Sequence, residues 1–372
     1  MKIVYIISDV DRSVSFEWIA EKFRNDSDIS LYFIFLVPQS SYSAEYIKSI
    51  DYNVFNIKLK NKLDWPLAFF SISKILFNIK PDIVHCHLLH ANILGLSSAK
   101  LLNIPTRIYT RHHSTFHHKY NSKGVLWDNL SNYLASKIVS ISPVVTRVLT
   151  DLEFVNQKKI FYIPHGFKLN SFINVDINRK NLFRTRHNLP SNKIIIGVVS
   201  RFVDWKGLQY IVPAFAEVFY KNKNVHLLLM NAFGSYENEI KRLLRNLPNN
   251  SYTLVKFEND MPSAYACMNI FIHAPIDPEV EAFGQIYVEA LASGIPSIFT
   301  LSGISTEFVK HEENALVVPF RDTQALISTI QKLIKDDKLR LRLMNHASTD
   351  IFEKFSLSRM TESLRTLYLN KF

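Results

Sequence analysis

The chain has 372 residues, 47% of them apolar and 21% charged, with a formal net charge of +11. That length exceeds what one hydrophobic core usually organises, so two domains are expected, and the composition excludes a disordered or fibrous protein. Only Cys86 and Cys267 are present, which excludes a disulfide scaffold and suits a reducing compartment.

From the N-terminus, Lys2 precedes only Ile3–Ile7 before Asp9 and Asp11 intervene. This reads as a first β-strand rather than a secretory signal, and a cytoplasmic location is expected. Further strands are predicted over Leu31–Leu36, Asp82–His85, Thr106–Thr110, Lys137–Ser140 and Ile160–Ile163, with amphipathic helices at Phe16–Phe23 and Leu88–Leu102. The most apolar helical stretch, Trp65–Ile79, is broken by Lys74 and two serines and falls short of the ~20 apolar residues of a spanning helix. Residues 174–192 are polar and basic with little apolar periodicity, the texture of a linker. The pattern restarts with strands at Ile194–Val199, His226–Met230, Thr253–Phe257, Ile270–His273 and Ser297–Phe299, and a late helix at Asp322–Lys335. Strands alternating with helices predict α/β domains with doubly wound parallel sheets. The expected division is 1–173, a linker at 174–192, 193–355, and a C-terminal helix in 356–372 packing back toward the first domain.

Charge is unevenly placed. Residues 1–190 hold 24 Lys and Arg against 14 Asp and Glu, whereas the remainder holds 20 against 19. A basic half suits an anionic partner, although solubility is the plainer account. Lys58, Lys60 and Lys62 lead into Trp65, Leu67, Phe69 and Phe70, and Lys119, Tyr120, Lys123, Leu126 and Trp127 repeat the mixture. Basic residues among aromatic ones fit a lipid interface better than a phosphate track, so peripheral contact with an anionic membrane is expected. No helix-turn-helix, zinc-finger or RNA-recognition signature is present, so no nucleic-acid partner is expected.

The nine glycines permit neither a dinucleotide fingerprint nor a P-loop. Asp9-Val-Asp11 imitates a metal-binding Asp-x-Asp, but no other ligand pattern surrounds it, and it reads as loop and helix-capping chemistry. Histidines cluster at His85, His87, His90, His112, His113, His117 and His118. His85 and His87 share one face of a strand, yet no Cys or carboxylate spacing completes a zinc site, and no metal is expected.

The most informative stretch is Glu281-Ala-Phe283-Gly284-Gln285-Ile-Tyr-Val-Glu289-Ala-Leu-Ala-Ser-Gly294-Ile-Pro296. Two carboxylates lie eight positions apart around the start of a short helix, whose free amides and positive dipole end form an anion site. A wholly helical interval would set Glu289 roughly 12 Å beyond Glu281. An amphipathic helix with two solvated acids is the plain alternative. The combination of positions resembles the EX7E signature of family GT4, retaining glycosyltransferases that use nucleotide sugars. The resemblance implies the GT-B fold, two Rossmann-like domains facing across a cleft.

Two further elements fit that family. After the strand Ile194–Val199, Ser200-Arg201-Phe-Val-Asp-Trp-Lys206-Gly207 resembles its Gly-Arg-(Leu/Phe) … Lys-Gly element, with Ser200 for the usual glycine. Thr110-Arg-His112-His113-Ser114 looks like its Thr-x-His element, with His112 facing the donor sugar and His113 the alternative register. The strand ends at His85–His87 and His165 also look like family elements and read as structural. A glycine-rich loop common after the first strand is absent.

The resemblance implies transfer of a hexosyl or N-acetylhexosaminyl group from a UDP- or GDP-linked sugar to a glycan, a lipid-linked one in cell-surface polysaccharide synthesis being expected, with retention. Arg201, Lys206 and the amides at Gly284–Gln285 would stabilise charge growing on the diphosphate without metal or other cofactor. Glu281 would orient the sugar hydroxyls and Glu289 would hold the ribose, and Phe283 is counted with the donor-binding residues. Arg201, Lys206, Glu281 and Glu289 are expected at a cleft lip rather than in a core. A GT-B sugar-nucleotide epimerase and a non-catalytic glycan- or membrane-binding paralogue are the alternatives. The first needs no acceptor; the second would be expected to lack Glu281, Arg201 or Lys206.

Overall fold

The computed structural model describes residues 1–347 and 350–370. The chain divides into two compact units, Met1–Phe167 with Leu357–Phe372, and Lys168–Ser356.

The first unit is built on seven parallel strands: β1 (Lys2–Ser8), β2 (Ser30–Val37), β3 (Asn53–Lys58), β4 (Ile83–His87), β5 (Thr106–Arg111), β6 (Lys137–Ser140) and β7 (Ile160–Tyr162). Their spatial order is β3-β2-β1-β4-β5-β6-β7. β1 pairs with β2 from Lys2↔Ser30 and with β4 from Ile3↔Ile83. Both neighbours and both covering layers bury it, hence its unbroken run Ile3-Val-Tyr-Ile-Ile7. The C-terminal helix Leu357–Tyr368 belongs to this unit and buries Leu357, Met360, Leu364, Leu367 and Tyr368 in its core beside Phe16, Ile19 and Phe23. Each such side chain stabilises by about 1.5–3 kcal/mol. Arg365 secures the helix through Asp26 at 2.8 Å and through Asp28.

The second unit holds β8 (Ile194–Val199), β9 (Val225–Met230), β10 (Tyr252–Val255), β11 (Ile270–His273), β12 (Ser297–Phe299) and β13 (Leu316–Val317), ordered β10-β9-β8-β11-β12-β13 and parallel. Helix Leu208–Lys221 presents Ile211, Val212, Phe215, Val218 and Phe219 to β8 and β9, and helix Thr323–Lys335 adds Leu326, Ile330 and Leu333.

Residues 174–192 differ from the linker expected of them, since they carry the helix Ile177–Arg186 within the second unit. Asp176 caps it by accepting from Asn178 and Arg179 amides, and only Phe183 is buried along it. Charge holds the rest: Arg179 pairs with Asp260 at 2.6 Å, and Arg186 and His187 with Glu258 at 3.0 and 2.8 Å. A helix fastened by ion pairs leaves no apolar stripe to read.

Candidate active site

In open parallel sheets, ligands settle at the C-terminal strand ends where strand order reverses. In the second unit that point lies between β8 and β11. Beyond β8 the chain is pinned by Phe202, which is fully buried and exchanges backbone hydrogen bonds with Phe233 and Tyr236, each at 2.8 Å. Arg201, beside it, is exposed. A single turn, Asp204–Lys206, then meets Gly207 at φ 77°, where an added Cβ would fall 1.8 Å from the Ala274 carbonyl oxygen. Only glycine tolerates both the left-handed backbone and that approach.

This close packing onto the end of β11 brings Lys206 Nζ to 2.5 Å from Glu281 Oε1. The same oxygen accepts from His273 Nε2 at 3.1 Å. A carboxylate only accepts, so His273 carries its proton on Nε2, and its buried Nδ1 has no partner among the described residues. Burial alone would raise the Glu281 carboxyl, but Lys206 and His273 outweigh it and hold the group well below the usual carboxylate range. His273 was not singled out in the sequence; a histidine closing an otherwise apolar strand, Ile270-Phe-Ile-His273, was the available signal.

The interval between the two carboxylates is not one helix. Glu281–Phe283 is loop, Gly284 is a left-handed cap at φ 86°, and the helix spans Gln285–Ala292, so the 12 Å helical separation does not apply. A Cβ at Gly284 would meet the Tyr287 ring at 2.7 Å, so the fold itself requires this glycine. Phe283 is buried with its ring edge-on to Phe355 at 5.9 Å, and its carbonyl accepts from the Ile304 amide at 2.8 Å.

Glu289 accepts from Gln285 Nε2 at 2.5 Å and from Tyr265 Oη at 2.9 Å, so both its oxygens are engaged. Burial raises its carboxyl above the ordinary value, and those two hydrogen bonds only partly oppose this. Both carboxylates are buried, against the expectation of positions outside a core: Glu281 and Glu289 are each 7% exposed. The fold supplies each with its own partners, which is what allows a carboxylate to be buried.

In the first unit strand order reverses between β1 and β4. Asp9 there has φ 57° and its carboxylate lies 2.8 Å from His90 Nδ1. Asp11 accepts from the Tyr42 amide at 3.2 Å, and its carbonyl accepts from Ser43 N and Ser41 Oγ at the start of helix Tyr42–Ser49, which is loop and capping chemistry. His112, just past β5, is half-buried and lies against His87, Nε2 to Nδ1 at 3.1 Å, with His165 stacked on it at 5.5 Å and 12°.

His113 belongs to a different cluster. His113 Nε2, His117 Nδ1 and Arg111 converge on Asp128 Oδ2 at 3.1, 2.7 and 3.1 Å, while Arg111 and His118 also reach Glu153. His113, His117 and Asp128 form the one set with metal-ligand spacing among the described residues. The Arg111 guanidinium already supplies positive charge to the shared oxygen, so the trio is satisfied without an ion. Asp128 lies too far along the chain from His113 for local spacing to have revealed it.

The chain matches the model "Glycosyltransferase Family 4" over residues 34–171 and "Glycosyl transferases group 1" over residues 179–350. It is 27% identical over 296 residues to the capsular polysaccharide biosynthesis glycosyltransferase CapM of Staphylococcus aureus, covering 78% of this chain and 77% of that protein. It is 22% identical over 311 residues to a UDP-Gal:alpha-D-GlcNAc-diphosphoundecaprenol alpha-1,3-galactosyltransferase of Escherichia coli, covering 82% and 79%. Among solved structures, Anabaena HepE in complex with UDP-glucose matches with a TM-score of 0.85 and 18% identity over the whole of both chains. With one family match lying mainly in each unit, the chain belongs to the GT4-type, group 1 glycosyltransferases and has their GT-B fold.

Proposed function

We propose that this glycosyltransferase moves a hexosyl or N-acetylhexosaminyl group from a UDP- or GDP-linked sugar to a lipid-linked glycan in polysaccharide biosynthesis, with retention and without a metal at the diphosphate. The observation that carries this reading is the Lys206–Glu281–His273 cluster at the β8/β11 junction, beside the amides that open helix Gln285–Ala292. As the sugar's C1–O bond to the diphosphate lengthens, the sugar becomes oxocarbenium-like and negative charge grows on the leaving oxygen. Lys206, Arg201 and the Gln285 amide are the donors for that charge, and preorganised donors act most strongly where charge develops. Glu281, held ionised and immobile, orients sugar hydroxyls. Glu289 takes the ribose hydroxyls in exchange for the Gln285 side-chain Nε2. His112 hydrogen-bonds the sugar, as the family resemblance implies.

A membrane-facing role for the first unit accompanies this reading. The two Lys/aromatic segments meet: Trp65 lies edge-on to Trp127 at 5.4 Å, and Lys62 Nζ sits about 6 Å from both rings. Helix Trp65–Ile79 and the turn before it leave Leu63, Leu67, Phe70 and Phe77 exposed at helical spacing, beside exposed Lys58, Lys60, Lys62, Lys74 and Lys80. No helix of the described residues is long and apolar enough to cross a membrane, so the contact proposed is at the surface. The relative whose name gives a diphosphoundecaprenol-linked acceptor supports a lipid-linked acceptor here.

The test is a thermal-shift screen against UDP, GDP and their sugars, followed by NMR of the product formed from the stabilising donor and a diphospholipid-linked acceptor. Expected are one stabilising nucleotide, a retained anomeric configuration, and a rate indifferent to EDTA. Turnover that requires Mg²⁺ or Mn²⁺, or conversion of donor alone to an epimer, would overturn the reading.

A further inference from the structure

A neutral histidine presents either a hydrogen-bond donor or an acceptor at a given nitrogen, and only its surroundings decide which. His112 Nε2 is engaged by His87, so Nδ1 is the nitrogen left for a ligand. What His112 can do at that nitrogen therefore depends on which partner in the His87–His112 pair donates.

His87, the last residue of β4, is 4% exposed, and its Nε2 is buried without a partner among the described residues. Its ring is enclosed by Tyr5, stacked at 5.2 Å, by Phe16 at 4.9 Å and by His85 at 4.4 Å. His85 has no nitrogen to offer it: Nδ1 contacts Tyr368 Oη at 2.7 Å and Nε2 contacts Thr110 Oγ1 at 2.9 Å. Burial holds His87 and His112 well below the ordinary histidine value, with neighbouring imidazoles adding to it, so both rings are neutral near pH 7.

Two arrangements then satisfy the 3.1 Å contact. If His112 donates from Nε2, His87 must carry its proton on Nε2, which strands an N–H in an apolar enclosure. If His87 donates from Nδ1, its Nε2 is a bare lone pair. Buried N–H groups without an acceptor are rarer in folded proteins than under-used acceptors, so the second arrangement prevails. His273 illustrates the same pattern, with a carboxylate forcing Nε2–H and a bare Nδ1 buried.

We propose that His87 is a positioning residue that donates from Nδ1 to His112 Nε2 and so locks His112 as the Nδ1–H tautomer, presenting a hydrogen-bond donor to its ligand and no basic nitrogen. This rests on the reading that His112 contacts the donor sugar, and it specifies that contact. The group facing His112 Nδ1 is an oxygen acting as acceptor, a sugar hydroxyl or carbonyl oxygen. His112 takes no proton from the attacking hydroxyl. His165, stacked at 5.5 Å, holds the imidazole plane in which that donor points.

The test uses the full chain labelled with ¹⁵N-histidine, read by long-range ¹H–¹⁵N correlation near pH 7.5, with His112 assigned by His112→Gln. The expected spectrum has a pyrrole-type Nδ1 and a pyridine-type Nε2 at His112. His87→Asn, whose side-chain amide replaces the Nδ1–H, should keep that signature. His87→Phe, which keeps the ring but loses the donor, should shift it toward Nε2–H and lower kcat about 10-fold, as loss of a histidine-orienting partner typically does, with donor KM nearly unchanged. A wild-type His112 protonated on Nε2 overturns the proposal without need of any variant. So does a tautomer unchanged by His87→Phe. A tautomer that follows the proposal while His112→Gln retains full turnover overturns the sugar-contact reading instead.

Discussion

Both strand-end regions lie at C-terminal strand ends, β8/β11 where strand order reverses and β4/β5 next to the β1/β4 reversal, and they are built from opposite materials. At β8/β11 a cation, a carboxylate and an imidazole share one oxygen. At β4/β5 the groups are imidazoles held neutral by burial, pairing and stacking with one another. The difference teaches that a parallel sheet prescribes where a site lies but not how it is stabilised. Fixed charge suits the region proposed to meet a diphosphate. Neutral donors suit one that meets uncharged hydroxyls, where a fixed charge would remain uncompensated.

The comparison breaks most readily at Lys206. Lys206→Ala removes both the donor proposed for the leaving group and the partner of a buried carboxylate. Turnover should fall by about 100-fold or more, and the melting temperature should drop, since stripping one partner from a buried pair costs about 3–5 kcal/mol. Unaltered melting would show that the ion pair is not structural. Arg201→Ala should also lower turnover, by roughly 10²-fold, but its exposure predicts unchanged melting. Steady-state kinetics beside calorimetry separates the two.

Glu289→Ala is a smaller perturbation. It leaves the Tyr265 hydroxyl and the Gln285 amide without their acceptor, at about 1–3 kcal/mol. Donor KM should rise while kcat changes little, because ribose contacts serve ground and transition states alike. An effect confined to kcat would reassign Glu289 to the reacting sugar.

Acid sharpens the contrast between the units. His85 is pushed down by burial to about 3 and His165 to about 4, against an ordinary value of 6.5. For a lowered folded value, the stabilisation is complete above the unfolded value and is lost as pH falls toward the folded one. The first unit should therefore lose stability from about pH 6.5 downward, as unfolded histidines take up protons. Glu281 follows the same rule from its own unfolded value, about pH 4.3, so its contribution to the second unit persists to lower pH. Glu289 has the opposite sign, because its folded value is raised: its contribution is present at low pH and lost on the alkaline side. The second unit holds two histidines lowered by burial, His226 and His273, against His85, His87, His112, His113 and His165 in the first. Hydrogen exchange followed unit by unit from pH 7 to 4 should therefore show the first unit opening earlier. The reverse order would mean that the histidine cluster titrates freely.

The smallest expected effects are at the surface. Leu67→Glu or Phe70→Glu should weaken co-sedimentation with anionic vesicles several-fold, at about 1 kcal/mol for a lost interfacial contact or an added like charge. Turnover on a soluble acceptor analogue should be unchanged. Sedimentation indifferent to lipid charge and to salt would remove the membrane from the reading.

Most strands were legible. β6, β8, β11 and β12 run over the predicted residues, and seven others shift by one or two positions. β3 and β13 were not anticipated, and both are edge strands. β3 is half-exposed, with only Ile57 buried, and β13 has two residues, so neither shows the apolar run that burial on two faces imposes. The site was legible in part. Spacing brought Glu281, Gly284 and Glu289 into view. It could not show that Glu281 is clasped by Lys206 from 75 positions upstream.

Alone, the sequence determined the alternation of strands and helices, the two-unit organisation and the family motif. Each of these is a local pattern, set by side-chain periodicity and by glycines that a backbone turn demands. Only the tertiary structure decided that the motif carboxylates are buried, that a charged helix replaces the linker, and that His87 meets His112. Those outcomes depend on which distant strands lie side by side, and strand order is a property of the packed sheet that no local pattern contains.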